Sequence, residues 1–253
     1  MFIAVNQHKD YPLIIAANRD EFYARPTAAS SFWSSNNNLL AGRDLQANGT
    51  WMGVTRNGRI AALTNIRDPK STRDDVQSRG SLVTEWLTND TINQSHYLDI
   101  LKSTRTNFNG YNLLFGHMTQ LQVYNNFTNV STILESGVYG LSNSNIHTPW
   151  PKVHRGVNVL KGYINEHRTI DENQLFSLLR DETKANDNVL PNTGIEYEWE
   201  KQLSSIFIQT PDYGTRASTL LLLTRHNEIM WRERTYNRSG QIEKNTHYDF
   251  HIK

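Results

Sequence analysis

Short apolar runs separated by polar turns dominate the first quarter of the chain and predict antiparallel strands. Residues 2–6 and 12–17 are two such runs, divided by a polar turn. Residues 51–55 and 59–64 flank Asn57-Gly58, and an Asn-Gly pair between apolar runs is a strong signal for a hairpin. The chain is therefore expected to begin with paired antiparallel strands.

Helical spacing of apolar residues appears in two pairs of later segments. The first pair covers 80–87 and 96–101, and the second covers 152–166 and 171–181, where Asp171 is the expected N-cap. Apolar runs predict further strands at 111–115, 121–124, 138–141, 205–210, 218–224, 228–235 and 247–252. Because helices arrive in pairs between blocks of strands, the order favours an α+β fold of antiparallel sheets covered by helix pairs.

Composition restricts the class of partner. Hydrophobic residues make up 37% and charged residues 20% of the sequence, which fits a globular chain, predicted as one domain over residues 1–253. Lys plus Arg number 26 against 25 Asp plus Glu, and no basic block stands out. Binding to nucleic acid needs a basic face that releases counterions, so nucleic acid is not an expected partner.

Cysteine is absent, which excludes disulfides, thiolate metal ligands and a cysteine nucleophile. The absence agrees with a reducing compartment. The first ten residues lack a basic stretch followed by a long apolar run, so neither a signal peptide nor a membrane span is expected there. The sequence favours a cytoplasmic protein without a metal site, and it leaves a homo-oligomer open.

Polar side chains cluster in four segments that could form a ligand pocket. Asn18-Arg19-Asp20-Glu21 and Asn143 each follow an apolar strand, Arg216 precedes one, and Arg43 shares a Gly-rich stretch with Trp51. Each segment alone is also typical of a solvated turn. Together they supply arginines, amides and carboxylates, which suit an anionic or acyl ligand. The expected ligand-binding residues are Asn18, Arg19, Asp20, Glu21, Arg43, Trp51, Asn143 and Arg216.

The same segments carry a resemblance to a known family. Residues 16–26, Ala-Ala-Asn-Arg-Asp-Glu-Phe-Tyr-Ala-Arg-Pro, resemble the signature of the NRDE family, also called the transport and Golgi organisation family. Further matches follow in order: Gly49–Gly53, Ala62–Asn65, Gly140–Asn143 with Thr148–Trp150, Leu190-Pro191 with Thr193-Gly194, and Pro211–Arg216. The resemblance covers nearly the whole chain.

The resemblance implies a four-layer αββα sandwich, two antiparallel sheets flanked by helices, like that of the N-terminal nucleophile hydrolases. In such hydrolases the residue at the mature N-terminus attacks an amide, and its own α-amino group, with a pKa of about 7.7–8.0, serves as the base. By similarity, Asn18 and Asp20 would lie beside the nucleophile. Asn143 would donate to the oxyanion, and Arg216 would face the nucleophile.

Position 2 departs from the family pattern. Members of the family carry Cys after the initiator Met, whereas this chain has Phe2 and no cysteine elsewhere. A side chain as large as Phe also disfavours removal of Met1 by aminopeptidase. The pocket position at Phe2 would therefore lack an attacking atom, so a catalytic residue is not assigned and the chain is expected to lack the acyl-enzyme route.

Three functions remain compatible with these residues. The leading hypothesis is a non-catalytic small-molecule-binding or carrier protein. Family roles in haem trafficking and in lipid or acyl-CoA metabolism make haem or an anionic acyl compound the candidate ligand, with Trp51 and Phe22 for its apolar body. The alternatives are a hydrolase of amide or acyl bonds that uses another hydroxyl, such as Thr50, Thr64 or Ser142, and a purely structural or partner-binding protein.

Overall fold

The computed structural model describes residues 1–146 and 148–253, which form two antiparallel β-sheets with helices against them. The strands, in chain order, are β1 (Phe2–Val5), β2 (Leu13–Phe22), β3 (Thr27–Trp33), β4 (Asn36–Asp44), β5 (Met52–Thr55), β6 (Arg59–Asn65), β7 (Tyr111–His117), β8 (Gln120–Asn125), β9 (Val130–Leu134), β10 (Gly137–Gly140), β11 (Tyr213–Leu223), β12 (Glu228–Tyr236) and β13 (Ile242–His251). The α-helices are α1 (Gly80–Thr88), α2 (Gln94–Ser103), α3 (Pro151–Glu166), α4 (Glu172–Leu179) and α5 (Tyr197–Gln202). Short 3-10 helices cover Pro69–Ser71, Arg105–Asn107 and Asp187–Val189.

The strand order differs between the two sheets. Sheet A has the order β10-β1-β2-β11-β12-β13, and sheet B has the order β3-β4-β5-β6-β7-β8-β9. Sheet B is a meander, because each strand pairs with the next one in sequence. Sheet A joins distant segments, and pairing of β2 with β1 and β11 places Asn18 in the middle of the sheet. The predicted α+β class, two antiparallel sheets flanked by helices, is confirmed.

The chain divides into two compact units that are interleaved in sequence. Unit 1 comprises residues 1–25, residues 135–141 and the described part of 147–251, and it contains sheet A with α3, α4 and α5. Unit 2 comprises residues 26–134, 142–146 and 252–253, and it contains sheet B with α1 and α2. The single domain over residues 1–253 stays a prediction.

The core of unit 1 lies between one face of sheet A and helices α3 and α4. Helix α3 packs on β1 and β10, and α4 packs on β2 and β11. Phe2, Ile14 and Ala16 from the sheet meet Leu160 and Leu175 from the helices in one buried cluster. The even-numbered side chains of β1 and β2 therefore face the helices, whereas Ile3, Leu13 and Ile15 point to the other face of sheet A and are buried too.

The core of unit 2 lies between sheet B and helices α1 and α2. Trp86 of α1, Tyr97 of α2 and Phe115 of β7 form an aromatic cluster with ring centroids 5.3–5.4 Å apart. Tilted and edge-to-face contacts at this spacing stabilise a core beyond the burial of area alone. The Tyr97 hydroxyl donates to the Leu82 carbonyl at 2.6 Å, which satisfies the polar end of a fully buried ring.

Individual elements of the fold confirm some of the sequence predictions and contradict one. The hairpin at Asn57-Gly58 is confirmed, with Gly58 at a φ of 80°, and so is the N-cap Asp171, whose carboxylate accepts from the Asn173 amide. The predicted strand at 205–210 is wrong. Its apolar residues are buried, but the Ile206 and Phe207 amides donate to the Asp181 carbonyl, and pairing with β11 amounts to an isolated bridge between Gln209 and Gly214. Strands β3, β4 and β9 and helix α5 were not predicted.

None of the described helices is long and apolar enough to cross a membrane.

Candidate functional site

The α-amino group of Met1 lies at the start of β1, where the resemblance places the catalytic centre of the hydrolases. It donates to the Leu141 carbonyl at 3.1 Å, and the Leu141 amide donates back to the Met1 carbonyl at 2.9 Å. Burial lowers the pKa of this amine from 8.0 to about 5, and the nearby positive charge of Lys152 lowers it further. The negative charge of Asp20 acts in the opposite direction. The amine is therefore uncharged at neutral pH.

Two ionisable side chains act electrostatically on the amine, and each is held by a hydrogen bond of its own. Lys152, in the first turn of α3, is buried and donates to the Leu203 carbonyl at 2.9 Å. Asp20 accepts from the Thr215 hydroxyl at 2.7 Å, and that hydroxyl accepts from the Ile208 amide at 2.9 Å. The Met1 amine, whose pKa is lowered, is thus influenced by a cation and a carboxylate that are each held by hydrogen bonds, and such a group is a candidate for a functional site.

The protonation of the Met1 amine should make the stability of the folded protein depend on pH. An amine whose pKa is about 5 in the folded state and 8.0 otherwise binds fewer protons when folded between these values, so stability is expected to fall as pH is lowered from 8 to 5. The three-unit difference sets an upper limit of about 4 kcal/mol on this loss. Urea unfolding at pH 8, 6.5 and 5 measures it.

The control for that prediction is Lys152→Met, which removes the positive charge that helps to lower the amine's pKa. The variant is expected to have lower stability overall but a shallower loss between pH 8 and 5. Equal slopes in the two proteins would contradict the assignment of the pH dependence to Met1.

The side chain of Phe2 packs in the core of unit 1. Its ring is 4% exposed and lies against Gly156 of α3, where a β-carbon would come within 2.1 Å of the ring's Cζ atom. The ring thus occupies the space that a side chain at position 156 would take. Position 2 offers no atom that could attack an acyl group.

Asn18 joins three backbone or side-chain groups of unit 1. Its amide nitrogen donates to the Leu179 carbonyl at 2.8 Å and to the Ile206 carbonyl at 2.9 Å. Its amide oxygen accepts from the Ser218 hydroxyl at 2.6 Å, which in turn accepts from the Tyr236 hydroxyl at 3.1 Å. The side chain therefore ties the end of α4 and the segment after α5 to sheet A.

Arg216 closes the turn that follows β2. Its Nη1 atom donates to the carbonyls of Phe22, Tyr23 and Arg25 at 3.0–3.2 Å. The register of β11 against β2 shifts between Thr215 and Ala217, a bulge that lies at Arg216. The guanidinium carbon also lies 5.7 Å from the centre of the Tyr23 ring.

The two remaining predicted residues of β2 take part in a chain of charges. Arg19 is buried, and its Nη2 atom lies 3.8 Å from a carboxylate oxygen of Glu21. The same oxygen lies 3.7 Å from Nε of Arg25. At these distances the contacts are ion pairs without short hydrogen bonds, and they hold two cations beside the Arg216 turn.

Three predicted residues belong to unit 2. The Trp51 ring lies directly over Gly42, where a β-carbon would come within 2.2 Å of the indole. Arg43 stacks on Trp33 with 4.6 Å between the guanidinium carbon and the ring centre. The Asn143 amide donates to the Asn65 carbonyl at 3.0 Å. A single pocket formed by these three residues and the six in unit 1 stays a prediction.

A buried asparagine that the motifs did not single out organises this part of unit 2. The Asn112 side chain is fully buried and donates to the Thr64 hydroxyl and to the carbonyls of Ser142 and Ser144 at 2.8–3.3 Å. Its oxygen accepts from the Asn125 amide at 2.8 Å. The network holds the segment that carries Asn143. A lone Asn within the apolar run at 111–115 was the available signal, because a buried amide needs partners.

The hydroxyls considered as alternative nucleophiles also make internal hydrogen bonds. Thr50 is buried and donates to the Met52 carbonyl at 3.1 Å, and Thr64 accepts from Asn112. Ser142 donates to the Asn143 side chain at 3.3 Å. Among the residues that the structure describes, no group of three or more His, Asp or Glu side chains is arranged to hold a metal ion.

Solved structures define the class of fold. A mutant of the conjugated bile acid hydrolase from Clostridium perfringens is 11% identical, with a TM-score of 0.53 over 99% of this chain and 92% of that one. A second variant of the same hydrolase gives a TM-score of 0.53 at 10% identity. At this identity the likeness concerns the fold alone. The strand topology and these neighbours together define a fold like that of the N-terminal nucleophile hydrolases.

Sequence relatives give the family. Residues 1–238 match the family described as Transport and Golgi organisation 2, and the chain belongs to this family, for which NRDE is another name. The Transport and Golgi organization protein 2 homolog of Bos taurus is 33% identical over 89% of this chain and 87% of its own length. The homolog of Mus musculus is 31% identical over 96% of this chain and 94% of its own length.

Proposed function

We propose that this protein is a non-catalytic small-molecule-binding or carrier protein built on a hydrolase-like scaffold. The observation that carries the proposal is the burial of the Phe2 ring against Gly156, one residue after the Met1 amine, on which a cation and a carboxylate act electrostatically. A hydrolase of this class needs a nucleophilic side chain beside its own α-amino group. Phe2 supplies none, while the surrounding polar groups can still contact a ligand.

The ligand proposed is an anionic amphiphile, with haem and a long-chain acyl compound as the two candidates. In unit 1 the exposed ring of Phe22 packs edge-on against Tyr213, with 5.1 Å between ring centres, and Tyr213 also contacts Trp199. Arg216 lies beside this aromatic surface, because it hydrogen-bonds the Phe22 carbonyl. An apolar surface with an adjacent guanidinium suits a molecule that has an apolar body and an acidic group.

Titration of the purified protein with haemin, followed at the Soret band, and with a fluorescent long-chain acyl-CoA tests this proposal. Saturable binding is expected for one of the two probes, with Phe22→Ala weakening the affinity about tenfold, or about 1.4 kcal/mol. Phe127→Ala is the matched control, since Phe127 is 55% exposed and Phe22 is 54% exposed. Equal affinities for both variants, or uptake no different from that of albumin, would overturn the proposal.

A structural role is the second candidate, and the hydrogen bonds of the motif residues favour it. Asn18, Asn143 and Arg216 each donate to backbone carbonyls, as side chains do when they hold a fold together. On this reading, alanine at each position lowers the melting temperature without changing ligand affinity. Measuring both quantities on the three variants separates the two functions.

A further inference from the structure

The outer edge of β9 differs from the other three sheet edges. Among the described residues β9 pairs with β8 alone, so its outer side is an open edge of sheet B. Its sequence, Val130-Ser131-Thr132-Ile133-Leu134, contains no charge, no proline and no glycine. An open edge with these properties is a template for pairing with another strand.

The other three edges carry features that oppose such pairing. Strand β3 has register shifts in its pairing with β4, between Ala28 and Ser31 and between Phe32 and Trp33. Strand β13 carries Glu243 and Lys244, and β10 is four residues long with glycine at both ends. Bulges, charges and short length are the usual means by which proteins block edge-to-edge association. Strand β9 is five residues long, pairs with β8 without a register shift and carries neither charge nor glycine.

The hairpin formed by β8 and β9 is apolar at several exposed positions and contains no charged residue. Val130 is 53% exposed and Ile133 is 57% exposed, and Phe127 in the preceding turn is equally exposed. From Thr106 to Leu134 the sequence contains no Asp, Glu, Lys or Arg, although a fifth of the whole chain is charged. Three of the large exposed apolar side chains therefore lie in one neutral hairpin.

We propose that β9 is the contact between two copies of this chain, which pair antiparallel through their β9 strands. A second copy suits this surface because a neutral edge opposes itself without repulsion, whereas a charged partner would find no complementary charge here. With a two-fold axis perpendicular to the sheet, opposed residues of the two copies lie on the same face of the joined sheet. When all five residues overlap, Thr132 lies opposite Thr132 of the second copy. Val130 then opposes Leu134, and Ser131 opposes Ile133.

The expected contact is weak. Pairing of two five-residue strands buries less surface than about 1,200 Å², the lower limit for stable protein–protein interfaces. Association should therefore depend on concentration in the micromolar range or above. Sedimentation or light scattering over a concentration series measures it.

Cysteine cross-linking tests the register, and the cysteine-free sequence provides a clean background. Directly opposed residues of antiparallel strands have α-carbons about 4.5–5.5 Å apart, within the range that a disulfide spans. Thr132→Cys is thus expected to form a covalent dimer on mild oxidation. Ser131→Cys is the matched control, because its copy lies diagonally at about 7–8 Å, beyond easy bridging.

A charge variant tests the surface itself. Ile133→Lys, at an exposed position, should leave the fold intact and weaken dimerisation at least tenfold, because each copy brings a cation to the joined edge. Val159→Lys, on the outer face of α3 and 50% exposed, is the control and should leave association unchanged. Equal cross-linking at positions 131 and 132, equal association of the two lysine variants, or a monomer at every concentration would overturn the proposal.

Discussion

Replacing Gly156 by alanine is expected to destabilise the protein by about 2 kcal/mol, although alanine is normally the better helix former. The new β-carbon would lie 2.1 and 2.2 Å from two atoms of the Phe2 ring, closer than packed atoms ever approach. Because the ring is buried in the unit 1 core, relief requires a shift of α3 or an unfavourable rotamer, and such overpacking costs about 1–3 kcal/mol or more. Chemical denaturation measures the loss.

The sign of this effect should reverse when the ring is removed. Phe2→Ala alone is expected to cost about 3–5 kcal/mol, because it leaves a cavity in the core. In that background Gly156→Ala meets no ring, and the gain in helix propensity, about 1 kcal/mol, should make it stabilising. The double-mutant cycle would then give a coupling of about 3 kcal/mol between positions 2 and 156.

Gly162 provides the control on the same helix. A β-carbon there would have nothing within 4 Å, so Gly162→Ala is expected to stabilise both backgrounds by about the same amount. Independent effects at positions 2 and 156 would contradict the packing described here. The coupling bears on the proposed function, since it ties the identity of the side chain at position 2 to a specific contact with α3.

The elements that the sequence predicted well are those whose signal is local. The hairpin at Asn57-Gly58 and the cap at Asp171 depend on residues a few positions apart, and both are present. Strands β3 and β4 went unpredicted because they are rich in Ala, Ser and Asn and lack apolar alternation. The segment 205–210 looked like a strand because burial selects apolar residues whether or not the backbone pairs with a neighbour.

The residues of the candidate site could be named from the sequence, but the contacts of their side chains could not. Asn18 was singled out by its expected place after an apolar strand, and this expectation was wrong because β2 continues through Asn18 to Phe22. Its partners at Leu179 and Ile206 are far away in sequence. An amide that could bind a ligand and an amide that holds two carbonyls have the same local pattern. The difference depends on tertiary contacts, which a motif does not encode.

The second large effect is expected at Asn112, which no motif includes. Asn112→Asp keeps the shape of the side chain but replaces its amide donor by an oxygen facing the carbonyls of Ser142 and Ser144. A fully buried carboxylate next to two carbonyl oxygens is destabilising by about 3–5 kcal/mol, because it is an uncompensated charge. Thermal and urea unfolding at pH 7.5 measure the loss.

The loss at Asn112 should depend on pH in a defined direction. Burial without a cation raises the pKa of the introduced carboxyl above that in the unfolded chain, so the unfolded state releases its proton first as pH rises. The deficit relative to the wild type is therefore expected to be smaller at pH 4 than at pH 7.5. Asn158→Asp, at an exposed position of α3, should show no such pH-dependent deficit.

Asn112→Asp also tests whether the hydrogen bonds of Asn112 position the segment that carries Asn143. The segment 142–146 is held by two of the hydrogen bonds that the substitution removes, and it carries Asn143. Hydrogen exchange at the Arg67 amide, which donates to the Asn143 carbonyl at 2.8 Å, is expected to accelerate more than exchange in the aromatic core at Tyr97. Uniform acceleration would mean that Asn112 supports the whole unit, and unchanged exchange at Arg67 would mean that it does not position Asn143.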